Sequence, residues 1–386
     1  MDEIQGIFTS EHLQFRDALE KFVRKEIEPY VAEWEREARF TPKEVYRKAA
    51  SAGLLGTAIP EEFGGAGGDP LYAIIHAEVM SHSLAGASVG GMFTTDILAE
   101  LIVNHGTEAQ KQEWFPRILA GAPQAFALTE PDAGSDIFKM RTRARHDGDD
   151  FLISGQKIYI SNGMPADLIY LICKTDKDAS GPRGSLTLFL VDAAQPGIER
   201  RRLDSLGMKS HGLAEIFFDE VRVPRSAMLG DEGTAMRSVL APPFLAFDRV
   251  ISAMTALASA ELAFDLTLDY VKTREVFGGK VIDFQNTQFK LAEMKATLVA
   301  ARAFREHVLR KIAQNELDDF TASCAKLWIS DSAFNIVNEC LQLHGGYGYM
   351  NESPISRIFT YARLTSIYAG SSEIQKKTIA RTLVNT

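Results

Sequence analysis

"FLISGQKIYISNG", Phe151 to Gly163, decides how the chain divides. Phe151, Leu152, Ile153, Ile158, Tyr159 and Ile160 gather aromatic and branched side chains into a short run behind the turn cluster His146-Asp147-Gly148-Asp149, which predicts a strand. "LIYLIC" and "SLTLFLV" repeat the pattern, so β structure is expected from Gln124 to about Val223. Towards the N-terminus the period changes: Leu13, Leu19, Phe22, Val23 and Ile27 recur at helical spacing before Pro29, and Thr41-Pro42 fits an N-cap followed by the first helical position. Helices are therefore expected from about Ser10 to Ala120, with Gly121-Ala122-Pro123 as the break. Beyond Pro224 helical patterns return, from about Phe244 to Phe277, Phe284 to Ala313 and Leu317 to Leu343, with a last helix ending near Leu383. For that last helix Ser372 and Gln375 have the spacing of a capping box. The expected fold class is α+β: an N-terminal α-helical domain over 1–122, a middle β-barrel or sandwich domain over 123–231, and a C-terminal four-helix bundle over 232–386.

Composition narrows the function. The 386 residues are 46% hydrophobic and 24% charged with a net charge of -9, and the longest basic run is Arg200-Arg201-Arg202, so no nucleic-acid partner is indicated. Cys173, Cys324 and Cys340 form no C-x-x-C pair, and the eight histidines never fall into H-E-x-x-H, so no metal site is expected. Met1-Asp2-Glu3-Ile4 lacks a charged-then-apolar leader, and no stretch reads as the roughly 18 apolar residues of a membrane helix. A cytoplasmic enzyme without an integral membrane segment is expected. The glycine clusters "EFGGAGGDP" and "HGGYGYM" complete neither G-x-G-x-x-G nor a phosphate-binding loop, and read as tight turns or close backbone approach.

Six stretches are distinctive together: "FALTEPDAGSD" (Phe126 to Asp136), "SGQKIYISNG" (Ser154 to Gly163), "LGMKSHGLAEIFFDEVRVP" (Leu206 to Pro224), "TREVFGGKVIDFQ" (Thr273 to Gln285), "LQLHGGYGY" (Leu341 to Tyr349) and "SIYAGSSEIQ" (Ser366 to Gln375). In this order and at these intervals the chain resembles the acyl-CoA dehydrogenase family over essentially its whole length. The resemblance implies noncovalent FAD, an acyl-CoA or acyl-carrier-protein substrate, an electron-transferring flavoprotein as acceptor, and a homotetramer. It places Phe126, Leu128 and Thr129 at the flavin ring, and Ser135 near both flavin phosphate and thioester arm. Tyr159 stands where relatives usually carry Trp, followed by Ile160 and Ser161. Taken alone, Tyr159 is a half-buried strand aromatic. Arg274, Phe277 and Gln285 match residues that reach a neighbouring subunit's FAD, while Gln342 to Gly346, with Gly345 and Gly346, and Ser371 to Glu373 match segments lining its adenosine and pyrophosphate.

The reaction implied is α,β-dehydrogenation, in which a carboxylate removes the α-proton of an acyl thioester while the β-hydrogen leaves as hydride. In medium-chain and short-chain relatives that carboxylate is a Glu in Tyr-Glu-Gly. Here the position is Ala369, before Gly370, so the backbone N–H that in the family helps hold the thioester carbonyl survives and the acid does not. Isovaleryl-CoA and long-chain relatives carry the acid on a bundle helix, before an Arg. The register back from Phe277 lands on Asp248-Arg249. Helical geometry sets Phe244, Leu245, Ile251 and Ser252 on the face of Asp248 and turns Arg249 about 100° away. An apolar surround would raise the carboxyl pKa, although Asp is about 1.5 Å shorter than Glu. The competing role is an acid serving the helix start after Pro242-Pro243. Asp96, in "MFTTDILAE", is a second candidate base, against the alternative of an exposed helix-face acid. An acyl-CoA oxidase, a flavin monooxygenase and a non-catalytic flavin-binding protein stand as alternatives.

Overall fold

A computed structural model describes residues 6–85, 92, 94–175, 186–240 and 243–384. The N-terminal Met1-Asp2-Glu3-Ile4 and Pro242, each of which carried a sequence expectation, lie outside the described residues. In chain order the helices α1 (Ser10–Glu26), α2 (Glu28–Arg36), α3 (Lys43–Ser51), α4 (Leu71–Ser81), α5 (Thr94–His105) and α6 (Glu108–Leu119) precede the strands. These are β1 (Gln124–Ala127), β2 (Arg143–Asp147), β3 (Asp150–Ile160), β4 (Leu168–Thr175), β5 (Leu186–Asp192), β6 (Ile198–Arg202), β7 (Ala214–Pro224) and β8 (Met228–Leu229). Then come α7 (Phe244–Thr273), the hairpin β9 (Glu275–Val276) and β10 (Gly279–Lys280), α8 (Gln285–Ala313), α9 (Asp319–His344), α10 (Pro354–Leu364) and α11 (Ser372–Val384). The helix–sheet–helix order is the one the sequence pattern implies. The chain forms two compact units, one of Glu33–Ala73 with Ser88–Leu245 and one of Met1–Ala32 with Ile74–Ala87 and Ala246–Thr386.

The first unit is organised by its sheet, ordered β6-β7-β3-β2-β4-β5-β8, with β1 parallel to β4. β4 is buried on both faces, and its period of two divides it between two cores. Leu168, Tyr170 and Ile172 pack with Leu186, Leu188 and Leu190 of β5 and with Leu98, Ile102, Trp114 and Phe115 of α5 and α6. Ile169, Leu171 and Cys173 face the other way, onto Phe151, Ile153, Phe189, Ile216 and Val221. That second set fills the interior of the β domain.

The second unit is a bundle around α7. An 18-residue window of α7 is long and apolar enough for a membrane span, contrary to the sequence expectation, but 83% of it is buried inside the protein, so it is a core helix. Buried charge fastens the bundle: Arg305 of α8 holds Glu78 of α4 in a two-pronged ion pair, one arm at 2.6 Å, and Arg16 of α1 stands 3.6 Å from the same carboxylate.

Four local expectations are corrected. Thr41 does not cap α3, because its N–H and hydroxyl are taken by the Ser210 carbonyl (2.9 and 3.4 Å), and Pro42 fills the N-cap position with extended backbone. α7 stops at Thr273 rather than Phe277, where Phe277 (φ 49°) and Gly278 (φ 82°) turn the chain into a hairpin. α10 was not expected, although Ser353-Pro354 supplies its N-terminal signature. Gln375 closes no capping box; its amide nitrogen donates to the Ala369 and Gly370 carbonyls instead.

Candidate active site

In the sheet unit the predicted flavin segments meet at the end of β1. The Lys157 ammonium, fully buried, donates to the Leu128 carbonyl (3.0 Å) and to the Glu130 carboxylate (2.8 Å). Glu130 also accepts from the backbone N–H groups of Arg141 (2.5 Å) and Thr142 (3.1 Å), and the Ile158 N–H donates to the Thr129 carbonyl (2.9 Å). Leu128 to Glu130 is therefore held from below by β3. Burial pushes the Glu130 carboxyl up, but Lys157 and these N–H donors outweigh it and leave it below the usual range.

β3 then breaks its pleat. The register with β7 shifts between Lys157 and Ile160, and Tyr159 takes a left-handed φ of 58°. For an aromatic residue that conformation is an outlier, and it reverses which face the side chain meets. Tyr159 is accordingly 64% exposed instead of half-buried, while Ile160 turns inward at 2%. Ile160, predicted at the cofactor, packs in the sheet core and offers only its backbone. Phe126 and Leu128 are partly buried, Phe126 lying 6.0 Å from Phe244 between ring centres. Ser161 and Ser135 are exposed and Thr129 is half-buried. Asn162, missed from sequence, accepts from the Tyr46 hydroxyl (2.8 Å) and donates to the Gln124 carbonyl (2.9 Å), anchoring the turn behind Tyr159.

In the bundle unit Asp248 is the fifth residue of α7, beyond its first turn, which contains no acid. It is partly exposed, yet enough protein surrounds it that burial pushes its carboxyl up to about 6, against the opposing pull of Arg249 and Lys326. Among the described residues nothing hydrogen-bonds or ion-pairs that carboxylate. Arg249 is engaged elsewhere, 2.9 Å from Asp319. Lys326 of α9 is fully buried and donates to the Gly370 carbonyl at 2.7 Å; burial brings it down to about 8. Ala369 (φ 51°) and Gly370 (φ 80°) form a left-handed turn gripped by Lys326 and by Gln375, whose amide lies 2.8 Å from the Gly370 carbonyl. Thr255 of α7 and Tyr368 meet hydroxyl to hydroxyl at 3.4 Å. Lys326 escaped the sequence reading because it sits in an otherwise core-like stripe with Ala322, Ile329 and Ala333. A lone charge in such a stripe was the available signal.

The remaining predicted residues divide between the units. Asp96 is 1% exposed in the first turn of α5, so it is not an exposed helix-face acid. One turn on, Glu100 is pushed up to about 7 by burial and then by Asp96. Arg274 places its guanidinium 5.4 Å from the Tyr347 ring centre, which joins the hairpin to the Gln342 to Gly346 segment. Gln285 and Gln342 are exposed, and Phe277 is 99% exposed. At Gly345 and Gly346 an added Cβ would meet nothing, so their backbone is open to a ligand. Ser371 immediately precedes α11, and Glu373 lies in its first turn.

Taken unit by unit, the chemistry suits parts of a flavin dinucleotide: the sheet unit offers an outward aromatic on strained backbone and the hydroxyls of Thr129, Ser135 and Ser161, and the bundle unit offers open glycines and the exposed Arg274. When bound, FAD supplies a two-electron hydride acceptor. The fold and these two sets of groups suit a flavin-dependent oxidoreductase.

The comparisons with known proteins make the class specific. Family models for the N-terminal, middle and C-terminal domains of acyl-CoA dehydrogenase match residues 9–122, 125–221 and 239–384. The chain belongs to the acyl-CoA dehydrogenase family, and it is an FAD-dependent oxidoreductase acting on acyl-CoA. It is 38% identical to the mitochondrial long-chain specific acyl-CoA dehydrogenase of Mus musculus, covering 99% of this chain and 88% of the relative. Among solved structures, an acyl-CoA dehydrogenase from Geobacillus kaustophilus is 37% identical with a TM-score of 0.93, covering 97% of this chain and 98% of that one. A glutaryl-CoA dehydrogenase from Mycobacterium smegmatis, in complex with FADH2, is 28% identical with a TM-score of 0.87, covering 100% and 97%.

Proposed function

We propose that the chain dehydrogenates a long or branched acyl-CoA with Asp248 as base and an electron-transferring flavoprotein as acceptor, working as a homotetramer. The observation that carries this reading is Asp248, a carboxylate without a hydrogen-bonding partner among the described residues, whose protonation midpoint burial moves to about 6. Such an acid is ionised at neutral pH yet more basic than an ordinary Asp, which suits removal of a weakly acidic α-proton. Ala369 offers no carboxylate for the same task. Arg249, paired with Asp319, leaves Asp248 unneutralised. The 38% identity to a long-chain specific enzyme supports a long acyl group. In this reading Asp248 takes the α-proton, the β-hydrogen departs as hydride to bound FAD, and the product is the trans-2-enoyl-CoA. The sheet segment at Thr129 and Tyr159 receives the flavin ring. Ser135 in the sheet unit and the Ala369–Gly370 backbone in the bundle unit are each candidate thioester contacts, and Arg274, Gln285, Gln342, Ser371 and Glu373 receive a neighbouring subunit's cofactor. The division at 1–122, 123–231 and 232–386 and a cytoplasmic location belong to the same proposal.

The test is anaerobic flavin bleaching by a series of acyl-CoA thioesters. Asp248→Asn should retain FAD and ligand binding while slowing reduction by about 10²- to 10⁴-fold. Wild-type bleaching in Asp248→Asn, together with loss in Asp96→Asn, would move the base to α5.

A further inference from the structure

The Ala369–Gly370 turn and the Asp248 acid come from different elements, and one buried side chain bonds to the first and acts on the second through space. Lys326 enters from α9 with its ammonium on the Gly370 carbonyl, and its charge acts on Asp248 of α7. We propose that Lys326 is a positioning residue that couples the two, fixing the turn through the Gly370 carbonyl while its charge sets the proton affinity of Asp248. This rests on Asp248 being the base.

The argument is one of burial and number. A fully buried ammonium has three donors and needs a partner for its charge. Among the described residues its one hydrogen bond goes to a neutral carbonyl, so the charge is balanced through space. The groups that face it are Asp248, Asp331 and Glu373, which favour its protonation, and Arg249, which opposes it. The groups facing Asp248 are Arg249 and Lys326. Arg249 already has Asp319 at 2.9 Å, whereas Lys326 has no carboxylate in salt-bridge range among the described residues. A cation placed this way stabilises the ionised acid without seating a donor on it, so the lone pairs that must take the proton stay open. Linkage makes the effect reciprocal.

Infrared difference titration of ¹³C-aspartate-labelled holoenzyme, assigned with Asp248→Asn, reads the carboxyl directly. In Lys326→Met its midpoint should rise by about one pH unit, and the acid limb of anaerobic flavin reduction should rise with it; Lys326→Arg, keeping the charge, should hold both near wild type. The unaltered protein gives a fold-independent check: a loss of carboxylic acid signal near pH 6 and a further shift of the carboxylate band near pH 8, as Lys326 deprotonates. An Asp248 midpoint unchanged in Lys326→Met, or a single inflection in the unaltered protein, overturns the coupling. Failure of the base assignment shows separately, as full flavin reduction in Asp248→Asn with the infrared coupling still present.

Discussion

Each compact unit contains a buried lysine that acts on a carboxylate, and the two arrangements reach opposite ends. Lys157 touches Glu130 at 2.8 Å, and backbone N–H groups from Arg141 and Thr142 complete the carboxylate's hydrogen bonds, so Glu130 is held ionised below its usual range. Lys326 acts on Asp248 only through space, and Asp248 rises to about 6. Burial pushes both acids upward. What separates them is donor saturation: hydrogen bonds to the charged form overcome desolvation, while a remote charge only moderates it. A saturated carboxylate is a fastener. An unsaturated one keeps lone pairs available for a proton.

The largest effect should come from breaking the saturated pair. Lys157→Met leaves Glu130 buried without its counter-charge, at a cost of about 3–5 kcal/mol, and frees the Leu128 carbonyl in the segment proposed to receive the flavin. Thermal unfolding should show a large drop and purified protein should lose much of its bound FAD. Adding Glu130→Gln should recover part of the stability, because the stranded charge is gone. A Lys157→Met protein with wild-type stability would end the contrast between the two pairs.

The next effect sharpens the contrast through the sign of its pH dependence. Asp248 binds its proton more tightly folded than unfolded, from 3.8 to about 6. Its contribution to stability is therefore fully present below about pH 4 and is lost as pH rises through about 6. At neutral pH Asp248→Asn should stabilise the fold by up to about 3 kcal/mol, taking about 1.4 kcal/mol per pH unit, and the gain should vanish near pH 4. Glu130, depressed in the folded state, contributes stability above its unfolded pKa that is lost as pH falls through its lowered folded value. Melting temperatures of Asp248→Asn and Glu130→Gln against pH should run in opposite directions. Parallel curves would mean that both acids are fasteners. The rate of anaerobic flavin reduction in the unaltered protein should fall on acidification with a midpoint near 6.

How much of this was legible in the sequence follows from the same physics. Periodicity placed many of the helices and strands because an element that buries one face or stripe writes that burial into its spacing. The β3 reversal at Tyr159 was not legible: a left-handed aromatic is imposed by the bulge against β7, and no residue at that site encodes it. Asp248 was reached through the register of family relatives back from Phe277, and it also stands as a polar residue on an apolar helical face. Lys326 could have been found by that second feature, but a lysine's length lets it serve groups far along the chain, and Gly370 is 44 residues away. Gln375 looked like a capping residue because capping and gripping a preceding carbonyl use the same short reach.

The smallest effect separates backbone grip from side-chain identity at the turn. Ala369 at φ 51° and Tyr159 at φ 58° are both non-glycine residues in left-handed backbone, one in each unit. For alanine that conformation costs about 1–2 kcal/mol, and replacing it with glycine returns about 0.4–1 kcal/mol of unfolded-chain entropy. Ala369→Gly should therefore stabilise the fold by between zero and about 1.5 kcal/mol. Its catalytic consequence tests the clamp. If Lys326 and Gln375 fix the turn through the two carbonyls, the extra freedom of glycine is not expressed, and flavin reduction should stay within about twofold of wild type. A tenfold loss in Ala369→Gly, about 1.4 kcal/mol in the barrier, would show that the methyl group rather than the buried lysine holds the Ala369–Gly370 backbone in place.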